Sequence, residues 1–206
     1  ARSGRLGTKL HAISSVGGAD GNKTVWAPQP PPQELDWEFW LGQAPKVEYT
    51  PNRIGGNFRW WFEYSGCQVT DWGVHHTDIA LWALGGDETG IVEAEGKGTY
   101  NLGQETMRDV FLGKKPFESL PPSYNVAGSF DCRLVLANGN TLQLVSGPND
   151  LTIEGEKGRI VVNRGNKLAG KPVEELNASD TDKRWLEEEV KKLYRGMPRG
   201  SHMANF

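Results

Sequence analysis

The apolar periodicity of the chain changes at Gly85-Gly86, and this change limits the fold more than any other feature. Before it, the stretch TDWGVHHTDIALWALGG places apolar residues at helical spacing from Trp72 to Leu84. Thr70 or Asp71 can cap the start, and the glycine pair can stop the helix. After it the apolar residues alternate. IVEAEGKGTY is followed by SFDCRLVLANGNTLQLVSG, with a turn at Asn138-Gly139, and then by LTIEGEKGRIVVNRG, with a second glycine-containing turn. Successive hairpins make an antiparallel sheet, and a helix apart from them in sequence must lie against it.

The flanking segments extend this plan. KLHAISSV, ending at Gly17-Gly18, predicts a first strand and a turn. The proline cluster APQPPPQ over 27–33 predicts an extended surface segment, and LDWEFWLGQAPKVEY predicts an ordered loop or helical turn. A last helix is expected from Asp180 to Tyr194. It has Trp185, Leu186, Val190 and Leu193 on one side and the pairs Glu187/Lys191 and Glu188/Lys192 on the other. The fold class is α+β: one domain over 1–206, an open, mainly antiparallel sheet with helices on one face. The uncovered face is expected to pair with a second copy, making the protein a homo-oligomer.

Composition narrows the partners. With a net charge of -3 and no basic block, the chain is expected to bind neither nucleic acid nor an anionic membrane. No apolar run reaches the roughly 18 residues that span a bilayer, and the first residues lack a signal-peptide pattern, so localisation is left open. Eight tryptophans suggest a broad aromatic core or a face that stacks on sugars, with core the expectation for most. Cys67 and Cys132 stand in no metal-binding spacing and are read as free thiols.

On a helix, turning about 100° per residue, Asp71, His75 and Asp78 fall on one side and His76 points elsewhere. An aspartate beside an imidazole raises its basicity and suits it to take a proton from a hydroxyl. The same spacing also fits a capped helix with a satisfied, semi-buried histidine. A metal site from His75, His76 and Asp78 is disfavoured, because vicinal histidines on a regular helix do not reach one ion.

The runs DWEFWLG, NFRWWFEYSG, TDWGVHHTDIALWALGG and IEGEKGRIVVNRG occur in an order that resembles the C-terminal, substrate-binding domain of the glucose-fructose oxidoreductase / inositol dehydrogenase / MocA-like family. The resemblance implies that His75 takes the hydroxyl proton and that Asp71 orients it or holds the substrate. It also implies substrate contacts from Arg53, Arg59 and Trp60, with Asp78 as a further candidate. The cofactor would be NAD or NADP, bound in the full-length protein by an N-terminal Rossmann domain. This chain shows neither GxGxxG after a strand nor Glu-Lys-Pro, so no cofactor or metal is expected on it alone. Both ends resemble cut family segments, RSGRLG at the start and SHMANF at the finish. Two departures stand out: Gly55 where the resemblance leads to histidine, and Cys67 where it leads to glycine, which strains a turn if that position needs positive φ.

The resulting expectation is the substrate-binding half of an NAD(P)-dependent oxidoreductase acting on a sugar, cyclitol or related polyol, not competent for hydride transfer alone. The alternatives are a non-catalytic carbohydrate-binding or dimerisation module, and part of an NAD-dependent glycosidase.

Overall fold

A computed structural model describes residues 1–163, 165, 167–171 and 179–195, so the SHMANF segment lies outside the described residues. Seven strands form one sheet: β1 Leu10–Val16, β2 Ile91–Tyr100, β3 Ala127–Leu136, β4 Thr141–Ser146, β5 Asp150–Gly155, β6 Gly158–Val162 and β7 Leu168–Ala169. Their order is β2-β3-β4-β1-β5-β6-β7, and every neighbouring pair is antiparallel except β1 with β4. The first strand therefore lies in the middle, joining the hairpin β3-β4 to the hairpin β5-β6.

Among the described residues six helices accompany the sheet: α1 Trp37–Leu41, α2 Cys67–Thr70, α3 Trp72–Leu84, α4 Gly86–Thr89, α5 Gln104–Phe111 and α6 Asp180–Leu193. α3 lies on β1, β4 and β5 through Gly73, His76, Ala80 and Leu84, which are its buried positions. Ala80 and Leu84 share one apolar cluster with Ala12, Leu142, Leu151 and Ile153, which come from alternate positions of the strands. Each fully buried leucine here stabilises the fold by about 2 kcal/mol. Gly73 permits the close approach of α3 to the preceding turn α2, since a Cβ there would stand 2.8 Å from the Gln68 carbonyl oxygen.

The hairpin turn foreseen at Asn138-Gly139 also anchors α3. Asn138 and Asn140 each donate a side-chain amide to the Leu84 carbonyl, at 2.8 and 2.9 Å, and Asn140 Oδ1 accepts from Leu10 N–H at 2.9 Å. One loop thus closes a hairpin, caps the helix and holds the start of the central strand.

Several local details differ from the sequence reading. The ion pairs of α6 are Glu188–Lys191 at 2.6 Å and Glu189–Lys192 at 2.5 Å rather than the pairs one residue longer. Neighbours three and four apart are equally close on a helix face, and exposed side chains settle on either. α5 was not foreseen; only Met107 and Val110 are buried on it. Of the tryptophans, Trp61 alone is fully buried, and most of the others are half-buried in ring clusters such as Trp37 stacked on Trp40 with Tyr49 and Tyr64 at their edges. The proline segment is exposed and irregular, pinned by Gln29 N–H donating to the Tyr49 carbonyl.

Candidate active site

Cys67 and Asp71 stand where the chain enters α3, and Arg59 faces Asp71 there. The turn α2 opens at Cys67, whose φ of 60° is left-handed although it carries a side chain. An L-residue there stores about 1–2 kcal/mol of strain. The same thiol is buried, and burial pushes its pKa up, which keeps it protonated and unreactive. Gly55, at φ 61°, occupies a left-handed position that suits glycine better than a histidine.

Asp71 follows with φ -99° and ψ -102°, outside helical geometry, and its side chain makes no capping hydrogen bond. This backbone break takes it off the arc that helical spacing predicts. Its Oδ2 faces Arg59 Nε at 3.5 Å, and both atoms are shielded from water although the residues are about one-third exposed. The Arg59 guanidinium also lies 5.7 Å from the ring of Trp60, which is half-buried against the apolar cluster around Val16 and Val126.

His75 is exposed on the outward side of α3, with the ring of Trp72 set edgewise 6.3 Å away. Together with Asp78, Val74 and Ile79 it lines a shallow groove of about 480 Å³. The structure thus brings His75 and Asp78 together and sets Asp71 with Arg59, and no hydrogen bond joins Asp71 to His75 among the described residues. His76 is 1 % exposed and faces the sheet.

Arg53 is placed differently from the substrate contact expected of it. It is 5 % exposed, bonded to Glu63 at 2.7 Å and to the Tyr64 hydroxyl at 3.0 Å, with its guanidinium 3.8 Å from the Trp61 ring centre. Asn125 completes this network by donating to Glu63 at 2.8 Å and accepting from Phe62 N–H. Glu63 and Asn125 carry no sequence signal that marks them, because they meet Arg53 only through the fold.

Among the described residues no group of three histidine, cysteine or acidic side chains is placed to hold a metal ion. The groove at His75 is lined by one helix only, so these residues do not fit as the holder of a dinucleotide, which needs a second wall. No helix is long and apolar enough to cross a membrane among the described residues.

The family model described as "Oxidoreductase family, C-terminal alpha/beta domain" (GFO_IDH_MocA_C2) matches residues 3–106, half of the chain. The chain belongs to this oxidoreductase family. The matched segment includes β1, the Arg53 and Arg59 region and the whole of α3, so the candidate site lies inside the family's own domain.

Among solved structures, the chain is similar to an NAD-binding protein from Listeria innocua, with 18 % identity, TM-score 0.43 and coverage of 82 % of this chain and 34 % of that one. It is similar to the aldose-aldose oxidoreductase from Caulobacter crescentus complexed with glycerol, with 14 % identity, TM-score 0.43 and coverage of 81 % and 36 %. It is also similar to the WlbA dehydrogenase from Bordetella pertussis in complex with NADH and UDP-GlcNAcA, with 12 % identity, TM-score 0.45 and coverage of 97 % and 49 %. The chain spans from about a third to about half of the length of these proteins. No curated protein matches it.

Proposed function

We propose that this chain is the substrate-binding part of an NAD(P)-dependent oxidoreductase acting on a sugar, cyclitol or related polyol. The observation that carries the reading is the outward face of α3, where His75 and Asp78 share an exposed groove within the family's C-terminal domain. In this reading His75 accepts the proton of a substrate hydroxyl at one imidazole nitrogen, and the Asp78 carboxylate accepts a hydrogen bond from a neighbouring hydroxyl. Arg59 and Trp60, which do not line this groove, are further proposed substrate contacts, and Asp71 keeps the Arg59 guanidinium oriented. The cofactor supplies the hydride acceptor, NAD or NADP, and is bound outside the residues described here; no cofactor contact is assigned to this chain.

Arg53 is left out of substrate binding in this proposal, since it is buried and its Nη1 already donates to Glu63 and Tyr64. A non-catalytic carbohydrate-binding or dimerisation module is the second reading. It is favoured by one observation: Asp71 is paired with Arg59 and not with His75. The open sheet face, with Ile13, Val135, Val145 and Val161 among polar neighbours, is the proposed surface of a homo-oligomer.

Titration of the chain with monosaccharides and cyclitols, followed by the NMR signals of the four histidines, tests the substrate site. The His75 ring signals should shift saturably while those of His11 stay fixed. A ligand that shifts no His75 signal, across a panel covering both classes, rejects the assignment.

A further inference from the structure

We propose that β2 is a docking edge for a second copy of this chain, paired antiparallel about Gly96 so that the two sheets continue as one. Among the described residues β2 ends the sheet order and pairs only with β3, which leaves one side of its backbone without a strand partner among them. The strand is ten residues long and exposed from Ile91 through Lys97. Such an edge is a template for another strand, and main-chain hydrogen bonds supply the attraction.

The order of charges selects the partner and the register. Pairing with β3 sets Glu95 opposite Arg133 and Lys97 opposite Asp131, which places Glu93, Glu95, Lys97 and Thr99 on one face of β2. When two copies of an antiparallel strand meet about a two-fold axis, the residue numbers of opposed positions have a constant sum. Centring on Gly96 sets Glu95 opposite Lys97 of the second copy, twice over, and Glu93 opposite Thr99. Ala94 then comes opposite Gly98, and the regular ladder runs from Glu93 to Thr99, inside the irregularities that β2 has at Ile91/Glu93 and Thr99/Tyr100. Centring on Glu95 also sets Glu93 opposite Lys97 twice but opposes two glutamates between them, and centring on Lys97 opposes two lysines; like charges directly across a ladder are unfavourable, so the Gly96 register is the one with attractive pairs and no repulsive one. The isolated lysine that discourages pairing with foreign strands thus complements a second copy in one register. This edge is distinct from the open face: face pairing buries side chains and leaves the β2 backbone free.

Sedimentation velocity over a concentration series tests the proposal. With pairing through the open face blocked by Val145→Lys, the chain should show a reversible dimer. Glu95→Lys and Lys97→Glu should each weaken it by about ten-fold, because each turns two attractive pairs into repulsive ones. An equimolar mixture of the two variants should dimerise again, since each then supplies the charge the other lacks. Circular dichroism and the unfolding midpoint confirm that both variants fold. Hydrogen exchange should slow at alternate β2 amides in the dimer, and Val145→Lys, on the open face, should leave this protection in place. A chain that stays monomeric, a mixture that associates no better than its components, or a dimer without β2 protection overturns the proposal.

Discussion

Arg59 Nε faces Asp71 Oδ2 at 3.5 Å, directly before the helix that carries His75. The pair joins the 3-10 segment Gly55–Trp60 to the start of α3. Because both side chains are partly solvated, the pair contributes little to stability, and its proposed role is to aim Arg59 at the groove. Arg59→Ala should change unfolding free energy by less than about 1 kcal/mol. In the complete enzyme it should raise KM more than it lowers kcat, as expected for lost binding. A loss confined to kcat argues against a binding role.

His75 and His76 should separate cleanly. His75→Ala in the complete enzyme should lower turnover by roughly 10²-fold or more with little change in stability, as for removal of a general base at an exposed site. His76→Ala empties a position that is 1 % exposed and should cost about 2 kcal/mol of stability, read by denaturant unfolding. Equal, small losses of turnover in both variants reject the division of roles.

Arg53→Ala should destabilise the chain by about 3–5 kcal/mol, since it leaves the Glu63 carboxylate buried without its partner at 2.7 Å. Replacing both members with apolar residues should recover most of this. Thermal unfolding of the single and double variants measures the difference.

At Cys67 the usual order of small residues should reverse. Cys67→Ala keeps the strain of a left-handed position with φ 60°, whereas Cys67→Gly removes about 1–2 kcal/mol of it. The glycine variant should therefore unfold at higher denaturant than the alanine variant.

Alkaline pH should weaken the fold through both thiols. Burial raises the pKa of Cys67 and of Cys132 in the folded chain. The unfolded chain releases these protons first, so the stabilisation is complete below the ordinary thiol pKa and is lost as pH rises through the folded value. Replacing each cysteine with serine in turn should flatten the alkaline limb of a stability-against-pH curve.

Much of the fold is legible in short stretches. The helix Trp72–Leu84, its glycine stop and the hairpin at Asn138-Gly139 depend on spacing and turn chemistry within a few residues of one another. The family motifs likewise drew attention to His75, Asp71 and Arg59. What could not be read there is contact at a distance. The eight residues of α5 carry too few apolar positions to stand out, and Glu63 and Asn125 become partners of Arg53 only after the intervening chain has folded back.

The sequence by itself determined most of the helices and strands, though not α5, and marked the candidate site residues, because periodicity, caps and turns act over one or two turns of chain. Only the tertiary structure decided that β1 lies between β4 and β5, that Arg53 is enclosed by Glu63 and Tyr64, and that Asp71 meets Arg59. Those outcomes depend on which distant groups the buried core brings within bonding range, and burial then favours the arrangement in which each charge has a partner.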